Sequence, residues 1–153
     1  MSRSDFAPLM AFIIKQRGMK ENFTVTFPSY MNAQGNETGT VSVNGAHSAG
    51  DTTIDLDGFA ANGGGRLVSG DFIKFSGHNK VYMIVSDVTA SSNAATVTIE
   101  PALVSALTNN ETVTYDSVPF TVYCENDVQE FTARNSSNGS PLFKYEIDVI
   151  EAL

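Results

Sequence analysis

The sequence has few residues of the types that carry most enzyme chemistry. Its 153 residues include no tryptophan, one cysteine and two histidines. A single cysteine excludes an internal disulfide, and Cys124 alternates with polar residues in PFTVYCEND, as a buried structural thiol in a strand would. A chain of this length buries a sizeable core without disulfides or metals. We therefore expect an ordinary folded domain with little room for catalysis.

Basic residues are also scarce. The chain has 9 Lys and Arg against 17 Asp and Glu, a formal net charge of -8. Phosphate binding requires clustered cations, so nucleic acid is not expected as a partner, and an anionic membrane surface is disfavoured for the same reason. The run FAPLMAFII is too short to span a bilayer and no small-residue cleavage site follows it. The sequence predicts neither a membrane anchor nor a signal peptide.

The charges are distributed unevenly along the chain. Cations lie near the start and acids near the end, the former being Arg3, Lys15, Arg17 and Lys20 and the latter Glu125, Asp127, Glu130, Glu146, Asp148 and Glu151. A chain with this asymmetry can stack on copies of itself or on a neighbour with complementary charge. The alternative is that both sets of charges are simply solvated.

The start of the chain predicts one helix over residues 5–17. Ser4 or Asp5 can cap it, Pro8 is tolerated in its first turn, and Gly18 ends it. Its apolar residues point in nearly every direction, so packing on one sheet would leave several exposed. We expect another subunit to cover the remainder, the alternative being a long loop of the same chain. The predicted subunit interface comprises Phe6, Leu9, Met10, Phe12, Ile13, Arg17 and His78.

The rest of the chain reads mostly as β-strands that alternate apolar and polar residues, separated by turns rich in Gly, Asn and Ser. The predicted strands are residues 23–27, 52–57, 71–75, 81–87, 94–100, 119–125, 130–135 and 142–151. PALVSAL at 101–107, with Pro101 at its start, predicts a short second helix. The fold class is therefore mainly β, an antiparallel sandwich or barrel with an N-terminal helix.

His78 is the strongest candidate for a catalytic group. It lies in SGHN, where Gly77 and Asn79 can form the tip of a hairpin, and no nucleophile elbow, metal-binding helix motif or paired histidine accompanies it. ANGGGRL lacks the ending of a phosphate loop, and DLD and END do not match a calcium loop. We therefore predict no enzyme, and no catalytic, cofactor-binding or metal-binding residues.

Three segments carry a resemblance to a known family. AFIIKQRGMKENFTVTFPSYMNAQG, LVSGDFIKFSGHNKVYMIVSDVTASSNAATVTIEPAL and LFKYEIDVIEAL together resemble small tail proteins of tailed bacteriophages. The resemblance implies a virion structural protein at the baseplate or tail tip. Its implied partners are copies of itself and other tail proteins, namely tube, hub, sheath or fibre components, with no cofactor.

A topology follows as a hypothesis. Residues 1–38 contain the helix and first core strand, residues 39–116 form an inserted small β-barrel, and residues 117–153 close the core sheet. The expected core of that sheet comprises Phe23, Val25, Phe27, Phe120, Val122, Tyr145 and Ile147.

Two other functions stay open at this point. A receptor- or glycan-binding β-sandwich fits the fold class, although the loops offer few aromatics beyond Tyr30 and Tyr115. A small hydrolase would use His78 with a nearby carboxylate, for which the sequence offers proximity alone.

Overall fold

A computed structural model describes residues 3–27, 29–128, 130–135 and 141–153. Within these ranges, one α-helix, α1 (Arg3–Lys15), and a 3-10 helix (Gly18–Lys20) come first, and thirteen strands follow. The strands are β1 (Phe23–Val25), β2 (Ser42–Val43), β3 (Thr53–Asp57), β4 (Gly63–Gly64), β5 (Phe72–Phe75), β6 (Val81–Ile84), β7 (Thr89–Ala90), β8 (Ala94–Glu100), β9 (Val113–Thr114), β10 (Phe120–Cys124), β11 (Phe131–Asn135), β12 (Pro141–Tyr145) and β13 (Val149–Glu151). The prediction of a mainly β fold with antiparallel sheets, a barrel and an N-terminal helix is confirmed.

The chain divides into two compact units. The first, here the terminal unit, consists of Met1–Thr24 and Thr121–Ala152, and the second, here the barrel unit, consists of Val25–Phe120 with Leu153. The terminal unit is thus assembled from the two ends of the chain.

The barrel unit is built on one six-stranded antiparallel sheet. Its strand order is β2-β3-β8-β6-β5-β9. The two outer strands meet, because the N–H of Val43 donates to the carbonyl of Glu111 at 2.9 Å and the N–H of Val113 donates to the carbonyl of Val41 at 2.9 Å. The sheet therefore closes almost completely into a barrel, which leaves little exposed strand edge.

Alternation along the strands fills the barrel with apolar side chains. Ile54 and Leu56 of β3 are buried while their neighbours Thr53 and Asp55 are exposed, as the two-residue period of a strand requires. Burying each such side chain contributes about 1.5–3 kcal/mol. The core comprises Val41, Val43, Ile54, Leu56, Phe59, Leu67, Ile73, Phe75, Tyr82, Ile84, Val88, Ala90, Val97, Ile99, Leu103, Leu107 and Val113.

The helix predicted over residues 101–107 is wrong. This segment forms no helix, and its backbone bonds instead to residues 47–51. Leu107 and His47 exchange backbone hydrogen bonds of 2.9 and 3.2 Å, and the N–H of Leu103 donates to the carbonyl of Asp51 at 2.9 Å. Leu103 and Leu107 are both buried in the barrel core. The four-residue spacing of the two leucines imitates a helix, but burial in the barrel decides their conformation.

The terminal unit holds a three-stranded sheet of order β1-β10-β13. Strands β10 and β13 are antiparallel, with Tyr123 opposite Ile150. The strand predicted over residues 142–151 is interrupted between Tyr145 and Val149. Its first part, β12, pairs with β11 in a separate antiparallel hairpin, and its second part alone joins the sheet.

The core predicted for this sheet is correct only in part. Val122 is buried, whereas Phe27 is 45% exposed and lies beyond the end of β1. Phe27 instead forms an edge contact with Phe120, at 6.4 Å between ring centroids. The side chain of Tyr145 lies outside the described part of the structure.

Candidate functional site

The helix α1 ends at a tight turn that brings cations to the surface. Arg17 and Gly18 both adopt left-handed backbone conformations, with φ of 56° and 66°, and the 3-10 helix follows. A Cβ on Gly18 would lie 2.6 Å from Cα of Asp127, so only glycine fits there. The N–H of Met19 donates to Oδ1 of Asp127 at 3.0 Å. This turn therefore packs against the loop that contains Asp127 in the terminal unit.

The apolar residues of α1 divide into a buried and an exposed set. Phe6 and Ile13, seven residues apart and so on one face, are buried, and Ile13 is only 1% exposed. Leu9, Met10 and Phe12 are each more than a third exposed. Of the apolar side chains predicted to form a subunit interface, these three are accessible, whereas Phe6 and Ile13 belong to the protein's own core. Ile14, which is 57% exposed, extends the accessible set.

We refer to residues 14–20 as the cationic turn. Ile14 and Met19 expose apolar side chains there, and Lys15, Arg17 and Lys20 are exposed cations. Cations at the C-terminal end of a helix are favoured by the helix dipole. The turn thus combines apolar surface with positive charge, a composition suited to contact with an acidic surface.

An acidic groove of about 590 Å³ lies on the same unit. Its lining comprises Asn126, Asp127, Val128, Glu130, Thr132, Glu146 and Asp148. Four of these residues are acids, and Val128 adds an apolar side chain that is 76% exposed. The described residues contain no group of three or more His, Cys, Asp or Glu side chains arranged to hold a metal ion. The geometry therefore gives no support for a metal at the groove.

His78, by contrast, belongs to the barrel unit, where it lies in the hairpin between β5 and β6. Its Nε2 is 3.0 Å from Oε2 of Glu111, and its ring meets the ring of Phe75 edge-on. The hydroxyl oxygen of Ser76 accepts the N–H of Thr112 at 3.1 Å. His78 is therefore a turn residue paired with one carboxylate, and the structure does not bring it together with the helix residues in one unit.

The carboxyl group of Glu111, which pairs with His78, has a lowered pKa. Burial raises the pKa of the Glu111 carboxyl, but hydrogen bonds from Thr108 and the nearby imidazole lower it by more, and the net pKa lies below its ordinary value. Oε1 of Glu111 accepts the N–H of Thr108 at 2.7 Å and its hydroxyl at 2.8 Å. The carboxylate thus holds the loop between Thr108 and Glu111 against the hairpin, which is a structural role.

The sequence patterns did not indicate two carboxylates that are buried in the structure. Oε1 of Glu37 accepts the N–H groups of Thr38, Gly39 and Ala60 at 2.9, 2.6 and 2.8 Å. Oε2 of Glu37 lies 4.0 Å from a guanidinium nitrogen of Arg66.

The second buried carboxylate, Asp71, also accepts backbone N–H groups from separate segments. It accepts the N–H groups of Gln34, Gly35 and Val68 at 2.8, 3.3 and 2.9 Å. Both acids lie within two residues of a glycine, in GNETG and SGDF, and these turn-forming segments are the signal that could have indicated them. Both carboxylates therefore organise loops of the barrel unit.

No helix within the described ranges combines the length and apolar character that crossing a bilayer requires.

Comparison with known proteins identifies the family. A search of curated proteins finds no match. The family model for the B domain of the distal tail protein pb9 matches residues 29–118, which include all strands of the barrel. Because this match spans more than half of the chain, the protein belongs to the family of the distal tail protein pb9 B domain and is a tail structural protein of a tailed bacteriophage.

Proposed function

We propose that the protein assembles in multiple copies at the baseplate or tail tip and joins the tail tube to neighbouring tail components. It assembles in the host cytoplasm, contacts tube, hub, sheath or fibre proteins, and catalyses no reaction. The observation that carries this proposal is the set of exposed apolar side chains that flank the buried stripe of α1, namely Leu9, Met10, Phe12 and Ile14. Monomeric proteins rarely leave several large apolar side chains exposed on one short helix, and a subunit contact would bury them.

The predicted inserted barrel and the two ends of the chain would then have separate roles. In this proposal residues 39–116 are an inserted barrel, and residues 1–38 and 117–153 form the part that contacts other subunits. The family match to residues 29–118 supports a tail role for the barrel. The exposed helix and the separation of the terminal unit from the barrel unit support assembly through the chain ends. His78 would be available to a second, smaller contact at its hairpin.

Light scattering of the purified protein tests the assembly role. A variant with Leu9, Met10 and Ile14 all replaced by Gln removes exposed apolar surface from α1 and leaves the buried Phe6 and Ile13 intact. We expect the unaltered protein to form a defined oligomer and the variant to have a smaller mass. A control with Val104→Gln alters an exposed apolar residue of the barrel unit and should keep the wild-type mass. Equal masses for the helix variant and wild type would contradict the proposed interface.

A further inference from the structure

A groove of about 580 Å³ lies where the end of α1 meets the start of β1, within the terminal unit. The rings of Phe12 and Phe23 meet edge-on in its lining, at 5.5 Å between ring centroids. The rest of the lining is polar and comprises Lys15, Gln16, Arg17, Glu21 and Asn22. We refer to the site formed by these residues as the helix-end groove. It combines aromatic surface with two cations and one acid.

The cations of the cationic turn are not used to hold the protein's own structure. Among the described residues, which include all 17 acids of the sequence, Lys15, Arg17 and Lys20 form no ion pair. The carbonyls of Ile13 and Ile14 accept backbone N–H groups at 3.0 and 3.1 Å, so the end of α1 does not need these side chains as caps. Their positive charge is therefore available to an anionic partner.

The lining of the helix-end groove suits a carboxylate next to an apolar side chain. Two cations and one acid give it a formal charge of +1, which matches a single carboxylate better than a polyanion. Nε2 of Gln16 donates to the carbonyl of Phe12 at 3.0 Å, and its second N–H is left for an acceptor. Phe12 is 43% exposed, and aromatic residues and Arg are enriched at protein interfaces. A peptide segment can supply both the carboxylate and the apolar group.

The groove lies on a different flank of α1 from two of the exposed apolar residues. At about 100° per residue, Phe12 is about 160° around the helix from both Met10 and Ile14. A subunit that covers Met10 and Ile14 therefore leaves the helix-end groove open. The groove can thus take a second component of the same assembly.

We propose that the helix-end groove binds an acidic peptide segment of a second tail protein. Lys15 and Arg17 hold one carboxylate of that segment, and an adjacent apolar side chain packs on Phe12 and Phe23. This inference rests on the proposed assembly role and names the chemistry of one partner. Charge complementarity selects the acidic segment and fixes its register, while the aromatic pair supplies the apolar contact.

Zero-length cross-linking of purified tails with a water-soluble carbodiimide tests the occupant of the groove. The reagent joins a lysine amine to a carboxylate in contact with it, and mass spectrometry of the digested tails identifies both residues. We expect Lys15 to be joined to an Asp or Glu of a different tail protein. Lys15→Arg keeps the charge but cannot be coupled, so tails that carry this variant should assemble and lack the cross-link.

Titration measures what the groove residues contribute. A labelled peptide that contains the linked acid is titrated with the purified full chain by fluorescence anisotropy at about 50 mM salt, where screening is weak. Lys15→Gln with Arg17→Gln removes both cations, and Phe12→Gln removes the aromatic contact. Each change should weaken binding at least about threefold. A matched control, Thr53→Glu with Thr114→Glu, lowers the net charge equally at exposed positions of the barrel unit and should bind as wild type does.

Four results would overturn the inference: a Lys15 that forms no cross-link in tails, a Lys15 joined only to acids of this same sequence, groove variants that bind the peptide as tightly as wild type, or a control that weakens equally. Each of them can occur while the protein is a multi-copy tail component. Absence of the protein from tails would instead overturn the assembly role itself, so the two failures are distinguishable.

Discussion

Removing the Glu37 carboxylate tests how the barrel unit holds its loops. The residue is buried, and one of its oxygens gathers three backbone N–H groups from two separate segments, at Thr38 and Gly39 and at Ala60. Arg66 supplies the only charge near the other oxygen among the described residues, at 4.0 Å. Glu37→Ala therefore leaves three N–H donors without their acceptor and removes the carboxylate that faces Arg66.

The magnitude follows from these contacts. Removing a buried carboxylate that several groups contact costs about 3–5 kcal/mol, because the donors and the charge that it faced lose that partner. We expect a loss in this range for Glu37→Ala. Glu37→Gln keeps an acceptor oxygen and nearly the same volume but replaces charge-assisted bonds by neutral ones, so its expected loss is smaller, about 1–3 kcal/mol.

The same residue makes stability depend on pH. Burial raises the pKa of the Glu37 carboxyl, but the three N–H groups and the positive charge of Arg66 lower it by more, and the net pKa lies below its ordinary value. Between that lowered pKa and the unfolded value of about 4.3, the unfolded chain binds more protons than the folded one. The stabilisation is therefore fully present above the unfolded pKa and is lost as pH falls through the folded pKa.

Urea unfolding of wild type, Glu37→Ala and Glu37→Gln at neutral pH, repeated at steps down to about pH 3, measures both effects. Wild type should lose stability more steeply than Glu37→Gln over the acid range, because the other carboxylates are common to both proteins. The exposed Glu100→Ala on β8 should change the free energy of unfolding by less than about 0.5 kcal/mol. A loss below about 1 kcal/mol for Glu37→Ala, or parallel acid profiles for wild type and Glu37→Gln, would refute the reasoning.

Two further predictions concern packing in each unit. Tyr82→Phe removes the hydroxyl oxygen that accepts the N–H of Val104 at 3.1 Å. The free energy of unfolding, measured by chemical denaturation, should therefore fall by about 1–3 kcal/mol. A change near zero would contradict the hydrogen bond. Ile13→Ala should cost about 2–5 kcal/mol because the side chain is buried, while the neighbouring Ile14→Ala should cost less than about 0.5 kcal/mol. Equal losses in the two helix variants, measured by thermal unfolding, would show that the division of α1 into buried and exposed residues is incorrect.

The sequence pattern predicted the secondary structure correctly wherever the local conformational preference of the residues and their burial favour the same structure. Strand β8 matches its prediction at both ends, since Val97 and Ile99 alternate with Thr96 and Thr98 and both bury their side chains in the barrel. The helix at the start was also predicted, with Gly18 after its end. Its abundance of apolar residues correctly indicated that several would remain exposed.

Long-range contacts account for what the pattern did not predict. The backbone of residues 101–107 is held by residues 47–51, about fifty positions away, so no local spacing could predict its extended form. The two-residue strands β2 and β9 exist because they close the barrel on each other. The sequence does not distinguish Glu37 and Asp71 from ordinary surface acids, because it does not show which backbone N–H groups will converge on them.

The exposure of the residues at the candidate site could likewise be predicted only in part. Leu9, Met10 and Phe12 are exposed as an interface requires, but the same apolar pattern gave no means of separating them from the buried Phe6 and Ile13. The acidic groove joins residues from two stretches that the hairpin β11–β12 separates in sequence. Only the fold brings these stretches together.

Quantitative mass spectrometry of purified virions from the phage that encodes this protein, with tails separated from heads, is the most direct test of a structural role in the tail. We expect the protein to be found with the tails, in several copies per particle and at a constant ratio to the tube protein. Its absence from tails, or its presence only in the lysate after virions are removed, would contradict a structural role in the tail.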